Sequence, residues 1–483
     1  MIPLSVLFII PLLIAVLGAI RQAARWLPGM AATLALLQLI LVGSICLPQL
    51  ARQAVDGNTF ALDGMGAAFL FITTLVAAAA LIQSALLLPA ERAYDPEITD
   101  RRLCSFYLLA GLFLAAMYGV LLAQNLGVLW IAMEATTLIS APLVFYHRSR
   151  RALEATWKYL LLCSVGIAFA LFGTVLIVAA QHSTGLSSTL YLPELLARAG
   201  ECDPRLLRLG FIFCLLGYGT KAGLFPLHNW LPDAHSEAPA PASAMLSGAL
   251  LNCALVAIWR LAQLMTAAGQ GALVQRLLIP AGALTVLAAA IMLVRQHDLK
   301  RMWAYSSVEH VGLLTLAIGI GSTPVFLLHA VNHSLVKVAL FLLAGSVIHR
   351  YGTKALRQIS GVLKTTPALG ILLALGSFAI AGSPPFGTFL SEWLLLRDTF
   401  AAGATVAGGA VIVGLTITCV AIASHLGRLL FGKSVDARHG RLTWAWSVVP
   451  ALLLLLVLVS GSLLAPPVMK ILATVTMGGG LGR

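Results

Sequence analysis

Two charged residues lie where a membrane protein tolerates them least. Glu134 sits in the apolar run LWIAMEATTLISAP, and Lys221 sits in GYGTKAGLFPLHNWLPDAH. An ionisable side chain at the centre of a membrane helix costs roughly 2.5–3.5 kcal/mol even on lenient insertion scales, so such residues read as parts of ion or proton relays. A lone buried carboxylate takes up a proton, whereas one beside a lysine ionises. Paired, the two make a pump element: moving the carboxylate away, or adding a second charge, expels the lysine's proton. Glu134 and Lys221 are expected to form such a pair. The bland alternatives are a helix–helix hydrogen bond and an inert buried ion pair.

A second set repeats this chemistry in another arrangement. Glu309 and His310 lie in AYSSVEHVG, expected near the cytoplasmic end of their span. His329, His333 and Lys337, in LHAVNHSLVKVALF, recur at i, i+4 and i+8 and so stack along one helix face. Histidine titrates near neutral pH and suits a relay. A His-x-x-x-His pair also binds metal, but no carboxylate or cysteine on this face completes a ligand set. Glu392 follows the break GSPPFG and is expected to close the path on the side opposite its start. His228 and His235 flank the other break, beside Asp233 and Glu237, as helix caps or as a water-filled port. Arg260, Arg295, Lys300 and Arg301 are expected to anchor the topology.

These residues need helices that cross a bilayer. The chain has 483 residues, 60% hydrophobic and only 10% charged, with mean hydropathy +0.95. Apolar runs of spanning length recur from end to end, which implies an all-α polytopic membrane protein; a membrane β-barrel would show short alternating segments. About fourteen spans are expected, near 2–20, 30–50, 64–88, 103–123, 125–146, 158–180, 206–225, 241–264, 273–294, 303–320, 323–348, 367–402, 404–431 and 447–467. The first lacks a basic leader and a small-residue cleavage site, so it reads as a span and not a signal peptide. Regions 206–240 and 367–402 each read as a helix, a proline-rich break and a second half. Such breaks survive at membrane depth only where they pack in protein or line a wet cavity.

The broken member is fourth in each of two five-span sets, 103–264 and 273–431, which predicts two inverted repeats. Residues 1–102 then form three N-terminal helices, and 432–483 a last helix and a Gly-rich tail. Net charge is +13, carried by loops that leave odd-numbered spans. This reads as positive-inside topology with both termini outside, and not as nucleic-acid binding. The seven cysteines are scattered without a CxxC pair, and no ligand set for iron–sulfur, haem or nickel is visible. Any redox centres must sit on partner subunits.

The motifs GYGTKAGLFPLHNWLPDAHSEAPAPASAMLSG, LKRMWAYSSVEHVG, HxxxHSLVKVALFLLAGSV and SPPFGTFLSEW resemble the antiporter-like proton-channel subunits of respiratory complex I, group 4 membrane-bound hydrogenases and Mrp-type cation/proton antiporters. The phrases PDAHSEAP and YSSVEH are most similar to the F component of hydrogenase-4. The resemblance spans roughly residues 60–430. It implies that Glu134 and Lys221 match the glutamate–lysine pair of the first half-channel. Lys337, with His333 before it, matches the polar site of the second half, and Glu392 the terminal Lys or Glu. Asn252 stands where the family often has Lys or His, which leaves the link between halves to water, His333 or Lys337. The resemblance further implies proton translocation in the cell inner membrane, without a catalytic centre in this chain. Partners would be other membrane subunits, the lipid bilayer and a peripheral redox arm holding iron–sulfur and nickel–iron centres. The rival readings are a complex I (NADH–quinone oxidoreductase) component, a Na⁺/H⁺ antiporter module, a stand-alone solute symporter or a non-conducting scaffold.

Overall fold

The computed structural model describes residues 4–50, 59–433 and 443–462. In chain order the helices are α1 (Val6–Ala19), α2 (Leu27–Gln49), α3 (Gly64–Tyr94), α4 (Asp100–Leu122), α5 (Leu126–Val144), α6 (Arg150–His182), α7 (Leu192–Ala197), α8 (Pro204–Ala222), α9 (Trp230–Glu237) and α10 (Ala240–Met245). They continue with α11 (Leu251–Ala267), α12 (Gly271–Val294), α13 (Leu299–Gly319), α14 (Thr323–Tyr351), α15 (Val362–Thr365), α16 (Pro367–Ile380), α17 (Gly387–Ala401), α18 (Thr405–Phe431) and α19 (Ala445–Gly461). Among the described residues there is no strand, only three isolated antiparallel bridges. The expected tail and the ends of the first and last spans lie outside the described residues.

Helix starts follow local chemistry. Asp63, Thr99, Asn125, Ser149, Asp203 and Asp298 each precede a helix and accept a hydrogen bond from a first-turn backbone N–H. Among the described residues nine helices are long and apolar enough to cross a membrane, and three further apolar helices are shorter. α10 and α11 run on as one span through a π-helical turn, Leu246–Leu250. The chain is thus a multi-pass membrane protein. Its apolar stretches are unequally covered: all of the α10–α11 window is buried and 94% of the α14 window, against 33% for α2 and α18. The former make the interior and the latter the periphery, so polar residues within the α10–α11 and α14 windows lie inside protein.

Both expected breaks are present and share one plan. α8 stops at Gly223 in the left-handed region, φ 86°, and the Leu224 N–H closes back onto the Gly219 carbonyl. α16 stops before Gly382, φ 66°, and the Ser383 N–H closes onto the Phe378 carbonyl. Each is a Schellman-type ending, which needs a residue without a Cβ penalty. Each break then carries a cis X–Pro bond, Phe225–Pro226 and Pro384–Pro385.

Glycines set how closely the helices approach. A Cβ at Gly217 of α8 would fall 2.5 Å from the Gly166 carbonyl of α6. In α12 and α13, Gly282 and Gly312 face each other, each within 2.8 Å of the other's carbonyl if given a Cβ. Such small-residue seams let membrane helices pack without a hydrophobic driving force. The α6–α8 seam brings the α6 side chains onto Lys221.

Candidate functional site

At the first break, Lys221 is fully buried in the last turn of α8. Its Nζ donates to Thr137 Oγ1 of α5 and to the Tyr159 hydroxyl of α6, both at 2.8 Å. With that ammonium as donor, the Tyr159 hydroxyl is free to donate to Ser140, 2.6 Å away, and Ser140 donates to the Thr136 carbonyl at 2.6 Å. The ring of Tyr159 is braced by Trp230 of α9, whose indole N–H donates to the Thr220 carbonyl. Two of the three donors of the Lys221 ammonium are thus satisfied by Thr137 and Tyr159.

The expected ion pair is not formed. Among the described residues no ion pair joins Glu134 to Lys221. Glu134 is half-buried, and its Oε1 accepts from Ser164 of α6 at 2.7 Å, while Oε2 has no partner. It lies on the same helical face as Ile131 and Leu138, which are 60% and 57% exposed. The hydroxyls of Thr137 and Tyr159 therefore give Lys221 hydrogen-bond acceptors but no counter-charge.

The second break gathers more titratable groups. Glu309 lies at the midpoint of α13, not near its end, because the helix begins at Leu299 behind the Asp298 cap. It is fully buried, and neither carboxylate oxygen has a hydrogen-bond partner. His310 faces the break: Nδ1 lies 2.9 Å from His329 Nε2, and Nε2 lies 3.2 Å from the Ile380 carbonyl at the end of α16. His329 Nδ1 in turn lies 2.8 Å from Ser391 Oγ of α17. The His333 ring centre is 5.2 Å from that of His310, with both nitrogens unpartnered. Lys337, fully buried, donates to the Trp303 carbonyl at 3.0 Å. Glu392 is buried, its Oε1 unpartnered, and its carboxylate packs against Gly382 so closely that a Cβ there would collide with it.

The remaining expectations divide. His228 sets its Nε2 3.2 Å from Met292 Sδ and packs beside Phe225 and Tyr305, without joining either cluster. His235 is fully buried and stacked on Phe341, and neither ring nitrogen caps a helix. Capping falls instead to two lysines: Lys300 donates to the Ser236 and Ala238 carbonyls at the end of α9, and Lys354 to the Ser236 carbonyl and the Glu237 carboxylate. Lys300 and Arg260 are 4% and 1% exposed, so they are not loop anchors. Arg260 donates to the Val120, Leu121 and Ala123 carbonyls at the end of α4. Asn252 donates to Ser334 at 2.7 Å and contacts no titratable group of the set through that bond. Asp233 ties Lys158 of α6 to Arg301 of α13, a link from the first broken helix to the second set that the sequence did not reveal. Among the described residues no group of three His, Cys, Asp or Glu could hold a metal ion.

Residues 123–418 match the family described as NADH:quinone oxidoreductase/Mrp antiporter, TM. The chain is 38% identical over 401 residues to the hydrogenase-4 component F homolog of Methylacidiphilum infernorum, covering 81% of this chain and 83% of that protein. It is 32% identical to NADH-quinone oxidoreductase subunit N of Desulforudis audaxviator, covering 67% of this chain and 64% of that protein. Among solved structures, a chain of the membrane-bound sulfane sulfur reductase, an archaeal respiratory membrane complex, superposes with a TM-score of 0.87 at 25% identity, covering 98% of this chain and 97% of that one.

Proposed function

Since the chain belongs to the NADH:quinone oxidoreductase/Mrp antiporter transmembrane family, we propose that it moves protons across a membrane as one subunit of a hydrogenase-4-type oxidoreductase complex. The observation that carries this is the burial of Lys221, His310, His329, His333, Lys337 and Glu392 around two broken helices. Ionisable groups are set in the protein interior, where hydrocarbon alone would expel them. A bulky-solute symporter has no need of such a series. The hydrogenase-4 assignment leans on the 38% identical relative.

Energy for the movement comes from partners in this reading. The half-buried Glu134, on a face with exposed Ile131 and Leu138, fits a helix covered by another membrane subunit, since a carboxylate facing lipid is costly. Iron–sulfur and nickel–iron centres belong to those partners. The chain sits in the inner membrane, with both termini outside. Sealed vesicles holding the full complex and a pH-sensitive dye test the reading. Lys221→Ala and Glu134→Gln should assemble normally yet abolish redox-driven proton movement. Normal pumping in both variants, or movement of Na⁺ with no proton flux, overturns it.

A further inference from the structure

Around His310 and His329 the hydrogens can be counted. Four heavy-atom contacts run in series: Ile380 carbonyl to His310 Nε2 (3.2 Å), His310 Nδ1 to His329 Nε2 (2.9 Å), His329 Nδ1 to Ser391 Oγ (2.8 Å), and Ser391 Oγ to the Thr388 carbonyl (2.9 Å). The ring centres are 5.0 Å apart and the planes differ by 16°, so with nitrogens 2.9 Å apart the rings point at each other in plane. All three side chains are fully buried. Both ends of the series are carbonyls, which only accept. Four contacts therefore need four hydrogens, and two neutral imidazoles with one hydroxyl supply three.

We infer that His310, His329 and Ser391 form a store that holds one proton and no more, and that the Ser391 hydroxyl reverses direction as it fills. With three hydrogens, one contact goes without. The Ile380 carbonyl belongs to the last turn of α16, where helix carbonyls have no intrahelical partner, so it keeps the His310 Nε2–H. Thr388 lies inside α17, so its carbonyl loses least. The empty store thus has Ser391 donating to His329 Nδ1, His329 Nε2–H donating to His310 Nδ1, and nothing donated to Thr388 from Ser391. One added proton makes the pair an imidazole–imidazolium. His329 Nδ1–H then donates to Ser391, and Ser391 turns to Thr388. A second added proton would set two N–H groups against each other across 2.9 Å, which the geometry forbids.

The surroundings suit a station on a path. His333, with both nitrogens unpartnered, and Lys337 stand on one side on α14. Glu392 follows Ser391 on α17, and Glu309 precedes His310 on α13. α16 and α19 carry no titratable side chain. The role as a station rests on the proton-transport reading above; the one-proton capacity does not.

The test uses the full-length protein with ¹⁵N-histidine in lipid, read by solid-state NMR from pH 5 to 9, with His310→Gln and His329→Gln assigning the signals. A single imidazolium should titrate in the pair. Ser391→Ala removes the acceptor of the charged N–H and should lower the half-point by about one pH unit, a tenfold loss of proton affinity at about 1.4 kcal/mol per factor of ten. Ser391→Thr keeps the hydroxyl and should restore it. Two imidazoliums in the pair, none down to pH 5, or an unmoved half-point in Ser391→Ala each overturn the store. Absence of proton flux in vesicles of the same wild-type preparation bears instead on the proposed function.

Discussion

The two breaks share a backbone plan but treat their charges in opposite ways. At the first, Lys221 is bonded to two hydroxyls, and the line from it ends on the Thr136 carbonyl. At the second, Glu309, His333 and one oxygen of Glu392 are buried without partners. Unpaired buried polar groups are costly, and in native proteins they mark function or unseen water. The first region therefore reads as a fixed, hydrogen-bonded post. In the proposed proton-transport reading, the second serves as a set of stations whose partners change as protons pass.

The contrast is tested most severely by Lys337→Ala. That variant should lose proton transport entirely, because it removes the buried amine that donates to the Trp303 carbonyl one helical turn from His333. Transport near the wild-type rate, by dye quenching in vesicles, would place the second route elsewhere. Next, Tyr159→Phe and Glu309→Gln should separate stability from function. The tyrosine hydroxyl serves a charged donor, a bond of about 1.5–3 kcal/mol, so its loss should lower the detergent-solubilised melting point. No hydrogen bond of ordinary geometry reaches Glu309, which has the Thr418 hydroxyl beside it, so the glutamine variant should melt close to the wild type while transporting protons poorly. Equal melting losses in both would erase the contrast.

A finer comparison uses the two left-handed glycines. Alanine at either position meets a backbone cost of about 1–2 kcal/mol. At Gly223 the new methyl meets only the tip of Leu231 at 2.7 Å, which can swing aside, so transport should hold. At Gly382 it meets the Glu392 carboxylate, so transport should fall as well as stability. Equal transport in the two variants would deny Glu392 a role. The smallest effect belongs to Ser164→Ala, which removes the one donor to Glu134, a bond of about 1 kcal/mol. Transport slowed no more than a few-fold is the expected reading; complete loss would make Ser164 a relay member.

Much of this is legible in the chain, for identifiable reasons. Lys221, Glu309, Lys337 and Glu392 stand out because charge is rare in apolar runs, and both breaks stand out because Gly and Pro follow each other at GLFP and GSPP. The hydroxyls are hidden. Serines and threonines in membrane helices commonly bond their own preceding turn, as Thr74 and Thr156 do here, so nothing in ATTLIS marks Thr137 as the one that turns toward a lysine. Tyr159 reads as one more apolar residue of WKYLLLC. Sequence alone misplaces Glu309 because Lys300 and Arg301 look like loop charges, whereas they stand in the first turn of α13. Arg260 misleads for the same reason: its charge suggests a topology anchor, and the geometry gives it to a helix end.

That arginine has a consequence for how the protein is made. The end of α4 depends for its carbonyls on a side chain about 140 residues later in the chain, on α11. Until α11 is in place, a newly synthesised chain holds α4 with bare acceptors at its tip. Truncated products that end before residue 260 should therefore be shorter-lived in the membrane than products that include α11, as read by pulse-chase.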